Sequence, residues 1–155
     1  IAQAYKAAQE SVDQSTQIGA ILVNDAGDIL AMDCNRFPYH VKETEERWER
    51  PLKYSYIEHA ERNVIYQAAR NGICTQGLIM YCNWYACDNC ARAIIQAGIK
   101  EVVGHDIPEY KEHPQRVESV KLARNMMAEA GVVCRDINAK IGGIEIRVNG
   151  KIIRP

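Results

Sequence analysis

The sequence predicts a layered α/β fold, and three observations carry that expectation. Short apolar runs alternate with longer stretches whose apolar residues recur at helical spacing, the pattern of strands covered by helices. Gly72, Gly98 and Gly131 each stand just past such a stretch, where a helix is expected to stop. The 155 residues are 47% hydrophobic and 25% charged, which suits one ordinary core-forming domain.

Taken in order, Ala2 to Val12 is rich in helix formers, with Ala4, Ala7, Ala8 and Val12 at helical spacing, and predicts a first helix. Ile18 to Val23 and Ile29 to Met32 flank Asn24-Asp25-Ala26-Gly27-Asp28, a turn-forming sequence, and predict an antiparallel hairpin. Asn35 to Lys53 holds Pro38, Pro51 and the charged run Lys42 to Arg50 without periodicity, so it reads as a surface loop with a solvated face. Tyr56 to Asn71 sets Ile57, Ala60, Val64, Ile65 and Ala68 on one helical stripe. Leu78 to Cys82 reads as a buried strand, Cys87 to Ala97 as a helix and Glu101 to Gly104 as a short strand. Arg116 to Ala130 gives another helix and Val132 to Ile137 a fifth strand. Ile144 to Val148 alternates apolar and charged residues before Asn149-Gly150, which favours a type I′ turn into Lys151-Ile152-Ile153. We therefore expect one domain over 1–155, a core over 1–137 and a C-terminal hairpin extension over 138–155.

Nineteen basic residues against 20 acidic leave a net charge of −1, so no global field holds a polyanion and nucleic acid is a disfavoured partner. A few Arg or Lys side chains still suffice for one small phosphate. The first twenty residues hold no apolar signal core and no later run is long enough for a membrane span, so a cytoplasmic location without membrane attachment is expected. Six cysteines in such a chain are read as reduced thiols or metal ligands rather than disulfides.

The chemistry is concentrated in two short motifs, His59-Ala60-Glu61 and Cys87-Asp88-Asn89-Cys90, with Cys87 following His59 by 28 positions (87 − 59). Two thiolates in the first turn of a helix point the same way, and the helix N-terminus stabilises their charge. A histidine brought alongside makes three protein ligands and leaves a fourth tetrahedral position open, the pattern of catalytic zinc. Glu61 does not share a helix face with His59, so it is free to face a water at the metal and act as proton carrier. Taken alone, the Cys-x-x-Cys motif fits a redox dithiol equally well, but redox chemistry has no need of His59 or Glu61. A structural zinc site would take a fourth ligand from Cys82, Cys34 or His40 and leave Glu61 without a role. Cys34, Cys74, Cys82 and Cys134 otherwise read as small hydrophobes, and His105 and His113 as solvent-exposed loop residues near Pro108 and Pro114.

Over residues 1–135 the chain resembles the deoxycytidylate deaminases, in particular their short phage and bacterial forms. The residues that carry the likeness are His59-Ala60-Glu61-Arg62-Asn63-Val64-Ile65, Ala68-Ala69-Arg70-Asn71-Gly72, Cys90 through Ile99, Ser15 through Val23, and Asn35-Arg36-Phe37-Pro38. The pairing of His-x-Glu with Cys-x-x-Cys is itself the signature of zinc nucleobase deaminases. The resemblance implies a three-layer α/β/α cytidine deaminase-like fold with a central mixed five-stranded sheet. It implies hydrolysis of dCMP to dUMP and ammonia, with one Zn2+ on His59, Cys87 and Cys90 and with Glu61 catalytic. For the substrate it implies contacts from Asn35 (to the ribose), Ala60, Tyr85, Ala86 and Tyr110. It further implies a homo-hexamer activated by dCTP and inhibited by dTTP, with Mg2+ accompanying the triphosphate and Cys34, Arg36, Phe37 and Arg70 in the effector site. Arg36, Lys42, Arg47 and Arg50 are further candidates for phosphate contacts.

Two departures stand out. Ala86 replaces the proline that the family usually places before the first cysteine, and Asp33-Cys34-Asn35-Arg36 replaces its Gly-Tyr-Asn-Gly loop. The alternatives within reach of the same motifs are a tRNA adenosine or polynucleotide deaminase and a catalytically silent zinc-binding assembly module.

Overall fold

The computed structural model describes residues 1–109 and 114–155. Its centre is a five-stranded sheet in the order β2-β1-β3-β4-β5, built from β1 (Gly19–Val23), β2 (Ile29–Cys34), β3 (Ile79–Cys82), β4 (Glu101–His105) and β5 (Val133–Ile137). β1 runs antiparallel to β2 and β3, whereas β3, β4 and β5 are parallel, so the sheet is mixed. Each parallel step is bridged by a helix, as parallel pairing requires: α5 (Asp88–Gln96) links β3 to β4, and α6 (Pro114–Glu129) links β4 to β5.

α1 (Ala2–Gln9) and α4 (Ala60–Arg70) both pack across β1 and β2. A helix is about 10 Å wide and covers roughly two strands, so two helices over the same pair occupy opposite faces. Every residue of β1 is accordingly buried. The approach of α1 is close enough to exclude a side chain at Gly19, where a Cβ would lie 2.2 Å from the Ala4 carbonyl oxygen. α4, α5 and α6 end in one way. In α4 the N–H of Gly72, at φ +68°, bonds to Ala69 O and that of Ile73 to Ala68 O, the paired bonds of a Schellman cap, and α5 and α6 repeat this pattern.

The C-terminal hairpin is present as β6 (Ile146–Val148) and β7 (Lys151–Ile153). Asn149 and Gly150 have φ of 52° and 78°, both positive as a type I′ turn demands. Ile146 and Val148 are buried in the main core, which fastens the hairpin to the body of the fold.

Four segments depart from the expectation. The first helix stops at Gln9 rather than Val12, because Asp13 captures the Ser15 and Thr16 amides in a local turn that competes with helix. The expected surface loop from Asn35 to Lys53 contains a single turn, α2 (Glu45–Trp48), and leads into another, α3 (Lys53–Tyr56). It also has its own buried face, where Phe37 stacks on Trp48 at 4.5 Å and on Tyr56 at 5.7 Å between ring centroids. The helix expected from Tyr56 begins only at Ala60, since Glu58 exchanges two backbone hydrogen bonds with Arg36 and keeps Ile57 to His59 extended. His105 is buried rather than exposed. It ends β4, donates one ring nitrogen's proton to Ala139 O at 2.9 Å and takes the Tyr5 hydroxyl on the other at 2.6 Å. His113 and Tyr110 lie outside the described residues.

Candidate active site

Two helix N-termini meet at the site. His59 is the N-cap of α4 and Cys87 the N-cap of α5, both with extended backbone, and Cys90 sits in the first turn of α5. This places His59 Nδ1 3.6 Å from Cys87 Sγ and 3.4 Å from Cys90 Sγ, with the two sulfurs 3.5 Å apart. Tetrahedral zinc with Zn–S of about 2.3 Å and Zn–N of about 2.0–2.1 Å sets its ligand atoms roughly 3.5–3.8 Å apart, so this triangle fits the ion closely. Among the described residues no atom of Cys34, Cys82 or His40 joins the group. The donor set is therefore three-fold, with the fourth direction open.

The electrostatics of the triangle favour a bound cation. The Cys87 thiol is pulled down to about 4, first by its hydrogen bond with Cys90 and then by that with His59, against the opposing effect of burial. His59 is pushed up by the Cys87 sulfur, and Cys90 is pushed up by sharing its proton with Cys87 and by burial. Metal binding takes the ligands in their deprotonated forms, so it is coupled to proton release from this group. Glu61, in the first turn of α4, is 3% exposed, and burial raises its carboxyl above the usual carboxylate range.

The triangle opens into a cavity of about 610 Å³. His59, Ala60, Glu61 and Cys87 line it at the triangle, together with Asn35, Ile57, Trp84 and Tyr85. Ser15, Thr16, Arg50, Lys53, Tyr54, Arg116 and Ser119 line it elsewhere. Asn35 is fixed on all sides. Its Oδ1 accepts from Ile18 N at 2.7 Å, and its Nδ2 donates to Asp13 Oδ2 at 3.0 Å and Thr16 O at 2.9 Å, which leaves one lone pair of Oδ1 for a ligand. Asp13 is in turn paired with the buried Lys53 ammonium at 2.6 Å. Tyr85 packs its ring over Gly104, where a Cβ would come within 2.7 Å of it, and the Arg124 guanidinium lies 4.7 Å from its centroid. Ala86 does not line this cavity but a small one behind Tyr85.

Of the candidates for phosphate contact, only Arg50 lines the cavity. Arg36 is paired with Asp33, Arg47 donates to the Lys42 carbonyl, and Arg36 and Arg70 both lie 4.2 Å over the ring of Tyr39, away from the cavity. Cys34 and Phe37 are buried. The structure adds a residue that no local pattern marks. Arg116 reaches the cavity from α6, 4.9 Å over the Trp84 ring, with Nη1 donating to Asn149 Oδ1 at 3.1 Å. Arg50 donates to Ser15 Oγ at 2.9 Å and lies 5.8 Å over Tyr54. Among the described residues neither guanidinium meets a carboxylate. Burial holds that of Arg116 below its ordinary value, and the charge of Arg50 pushes the same way.

No described helix is long and apolar enough to cross a membrane. Residues 1–105 match the family model for the cytidine and deoxycytidylate deaminase zinc-binding region. The chain is 34% identical to the deoxycytidylate deaminase of Mus musculus over all of its own length and 86% of that protein. In fold it is similar to a dCMP deaminase from the cyanophage S-TIM5 solved with dCMP and dUMP, with a TM-score of 0.68 at 24% identity over 88% of this chain and 92% of that one. A more distant likeness, with a TM-score of 0.51 at 22% identity over 89% of this chain and 95% of the other, is to a deaminase of A-to-I editing at the wobble position of transfer RNA.

Proposed function

The chain belongs to the cytidine and deoxycytidylate deaminase family, and from that premise we propose that it hydrolyses the 4-amino group of dCMP to give dUMP and ammonia. The observation that carries this reading is the His59, Cys87 and Cys90 triangle, of zinc dimensions and open on one side, beside the buried carboxyl of Glu61. When bound, zinc supplies the Lewis acidity that makes water nucleophilic near neutral pH. Glu61 takes a proton from the attacking water, delivers it to N3 of the ring, and passes the second proton to the departing amine. Its burial suits the role, because raising a carboxyl above the ordinary range makes its carboxylate a stronger base than an exposed one.

Two features of the cavity support a nucleoside monophosphate. Trp84 and Tyr85 offer aromatic surface near the triangle, and Arg50 and Arg116 are cations that meet no carboxylate among the described residues, suited to a 5′-phosphate dianion. Asn35 reaches the ribose through the free lone pair of its Oδ1. Ala60 and Tyr85 wall the pyrimidine, and Ala86 sets the entry of α5. Among the described residues the cavity contributes two guanidiniums rather than a basic track along a strand, which favours a mononucleotide over tRNA or a polynucleotide. Glu61 has no purpose in a silent zinc module.

The same reading extends to regulation. Cys34, Arg36, Phe37 and Arg70 form the effector region for dCTP and dTTP, the triphosphate entering with Mg2+ at a subunit boundary of a homo-hexamer. The clustering of Arg36 and Arg70 on Tyr39, outside the cavity, supports a second anion site there. The chain acts as one catalytic unit in the cytoplasm, with 138–155 as its extension.

The test is amine release by the zinc-loaded protein from deoxycytidine, dCMP, dCTP and a single-stranded oligonucleotide, with and without dTTP. Turnover confined to dCMP is expected, suppressed by dTTP, with kcat of Glu61→Gln about 10²–10⁴-fold lower while zinc is retained. Turnover of the oligonucleotide in preference to dCMP, or unchanged activity in Glu61→Gln, would sink the assignment.

A further inference from the structure

The family model ends at residue 105, yet part of the cavity wall is built from residues beyond it. The C-terminal hairpin, itself beyond residue 105, holds two parts of the cavity wall. On one side it clamps the segment 15–17: Gln17 N donates to Arg147 O at 2.9 Å, Arg147 N to Gln17 Oε1 at 2.8 Å, Asn149 N to Thr16 Oγ1 at 3.2 Å and Gly150 N to Ser15 O at 2.7 Å. On the other, the Asn149 carboxamide at the hairpin tip receives Arg116 Nη1 at 3.1 Å. The same turn therefore fixes Ser15, whose hydroxyl holds Arg50, and fixes Arg116 directly.

We infer that the hairpin is an active-site element, and that Asn149 is a positioning residue that aims Arg116 at the substrate phosphate without cancelling its charge. The inference rests on the phosphate reading of Arg50 and Arg116 given above. Its physical content lies in the choice of a neutral partner. A half-buried guanidinium held by a carboxylate would be fixed in place but neutralised, whereas a carboxamide oxygen fixes it and leaves the full charge for an incoming dianion. Leu, Ser or Thr at this position would lose the acceptor, the turn or both. Asn tolerates the positive φ of 52° and supplies the oxygen as well.

The experiment compares the zinc-loaded wild type with Asn149→Gly and Asn149→Asp. Glycine keeps the positive-φ turn and removes the carboxamide, and aspartate keeps turn and contact but compensates the charge. Three quantities are read: the melting temperature, the affinity for inorganic phosphate by titration calorimetry, and the ratio of kcat/KM for dCMP to that for deoxycytidine. Losing one well-aimed charge-assisted contact lowers phosphate affinity and that ratio by about tenfold in both variants. Asn149→Asp melts at or above the wild-type temperature, so a role confined to folding predicts wild-type phosphate binding for it. Wild-type phosphate affinity in both variants, or no phosphate binding by the wild type, overturns the inference. Failure of the wild type to release ammonia from dCMP instead strikes at the functional reading and leaves the phosphate titration to judge this one.

Discussion

The Asp13–Lys53 pair offers a sharp quantitative test, because its two halves are unequally supported. Both side chains are buried, at 3% and 6% exposure, and the ammonium lies 2.6 Å from the carboxylate. Asp13 also accepts from Ser15 N at 2.8 Å, Thr16 N at 3.2 Å and Asn35 Nδ2 at 3.0 Å, whereas among the described residues the Lys53 ammonium otherwise meets the Trp48 ring at 5.6 Å. Lys53→Met removes one charge-assisted bond and leaves a carboxylate with three neutral donors, a loss of about 1.5–3 kcal/mol. Asp13→Ala strands a buried ammonium and frees two backbone amides, a loss of about 3–5 kcal/mol. For a chain of this size these correspond to falls in melting temperature of about 3–12 °C and about 6–20 °C. Urea unfolding of both single variants and the double variant gives the coupling energy directly. The double variant should be less destabilised than the sum of the singles, since it leaves no orphaned charge. Equal losses in the two single variants, or zero coupling, would refute the argument.

Three further outcomes are expected. Exhaustive chelation abolishes turnover and one equivalent of zinc restores it, while Cys90→Ala retains no zinc after dialysis; metal-free protein that still turns over removes the metal from the mechanism. His105 is held below its ordinary value of 6.5, chiefly by burial, so the unfolded chain binds its proton more readily than the folded one. Stability from this residue is complete above pH 6.5 and is lost as the pH falls through the lower folded value. Melting temperatures from pH 8 to pH 5 should fall less steeply in His105→Gln, and parallel slopes would contradict this. Gly104→Ala pushes a methyl group into the Tyr85 ring, so KM for the nucleotide rises and stability falls by about 1–3 kcal/mol with zinc content unchanged; an unaltered KM would show that Tyr85 does not meet the substrate.

What the sequence disclosed follows the range of the forces involved. His59, Glu61, Cys87 and Cys90 are legible because each motif is short and its helix N-terminus is marked by the residues themselves. The three glycine-capped helix ends and the Asn149-Gly150 turn are equally local. Arg116 and the Asn149 contact are not, since they join α6 to a turn made much later in the chain and carry no spacing rule. The start of α4 is hidden for a similar reason: Tyr56 and Ile57 continue the helical stripe, but the backbone pairing of Glu58 with Arg36 overrides it. His105 resembled a loop residue beside Pro108, yet its partners Tyr5 and Ala139 come from distant parts of the chain and draw it into the interior.

The clamp of residues 15–17 by residues 147–150 also sets an order of events during synthesis. The triangle of ligands is complete in sequence once Cys90 has been added, but residues 15–17 lack their hairpin partners until Gly150 emerges. At about 5–20 residues per second that interval is roughly 3–12 s. Ribosome-stalled chains released at increasing lengths should therefore acquire zinc before they acquire affinity for phosphate. During that interval the nascent chain carries its His59, Cys87 and Cys90 ligands without the clamp that holds residues 15–17.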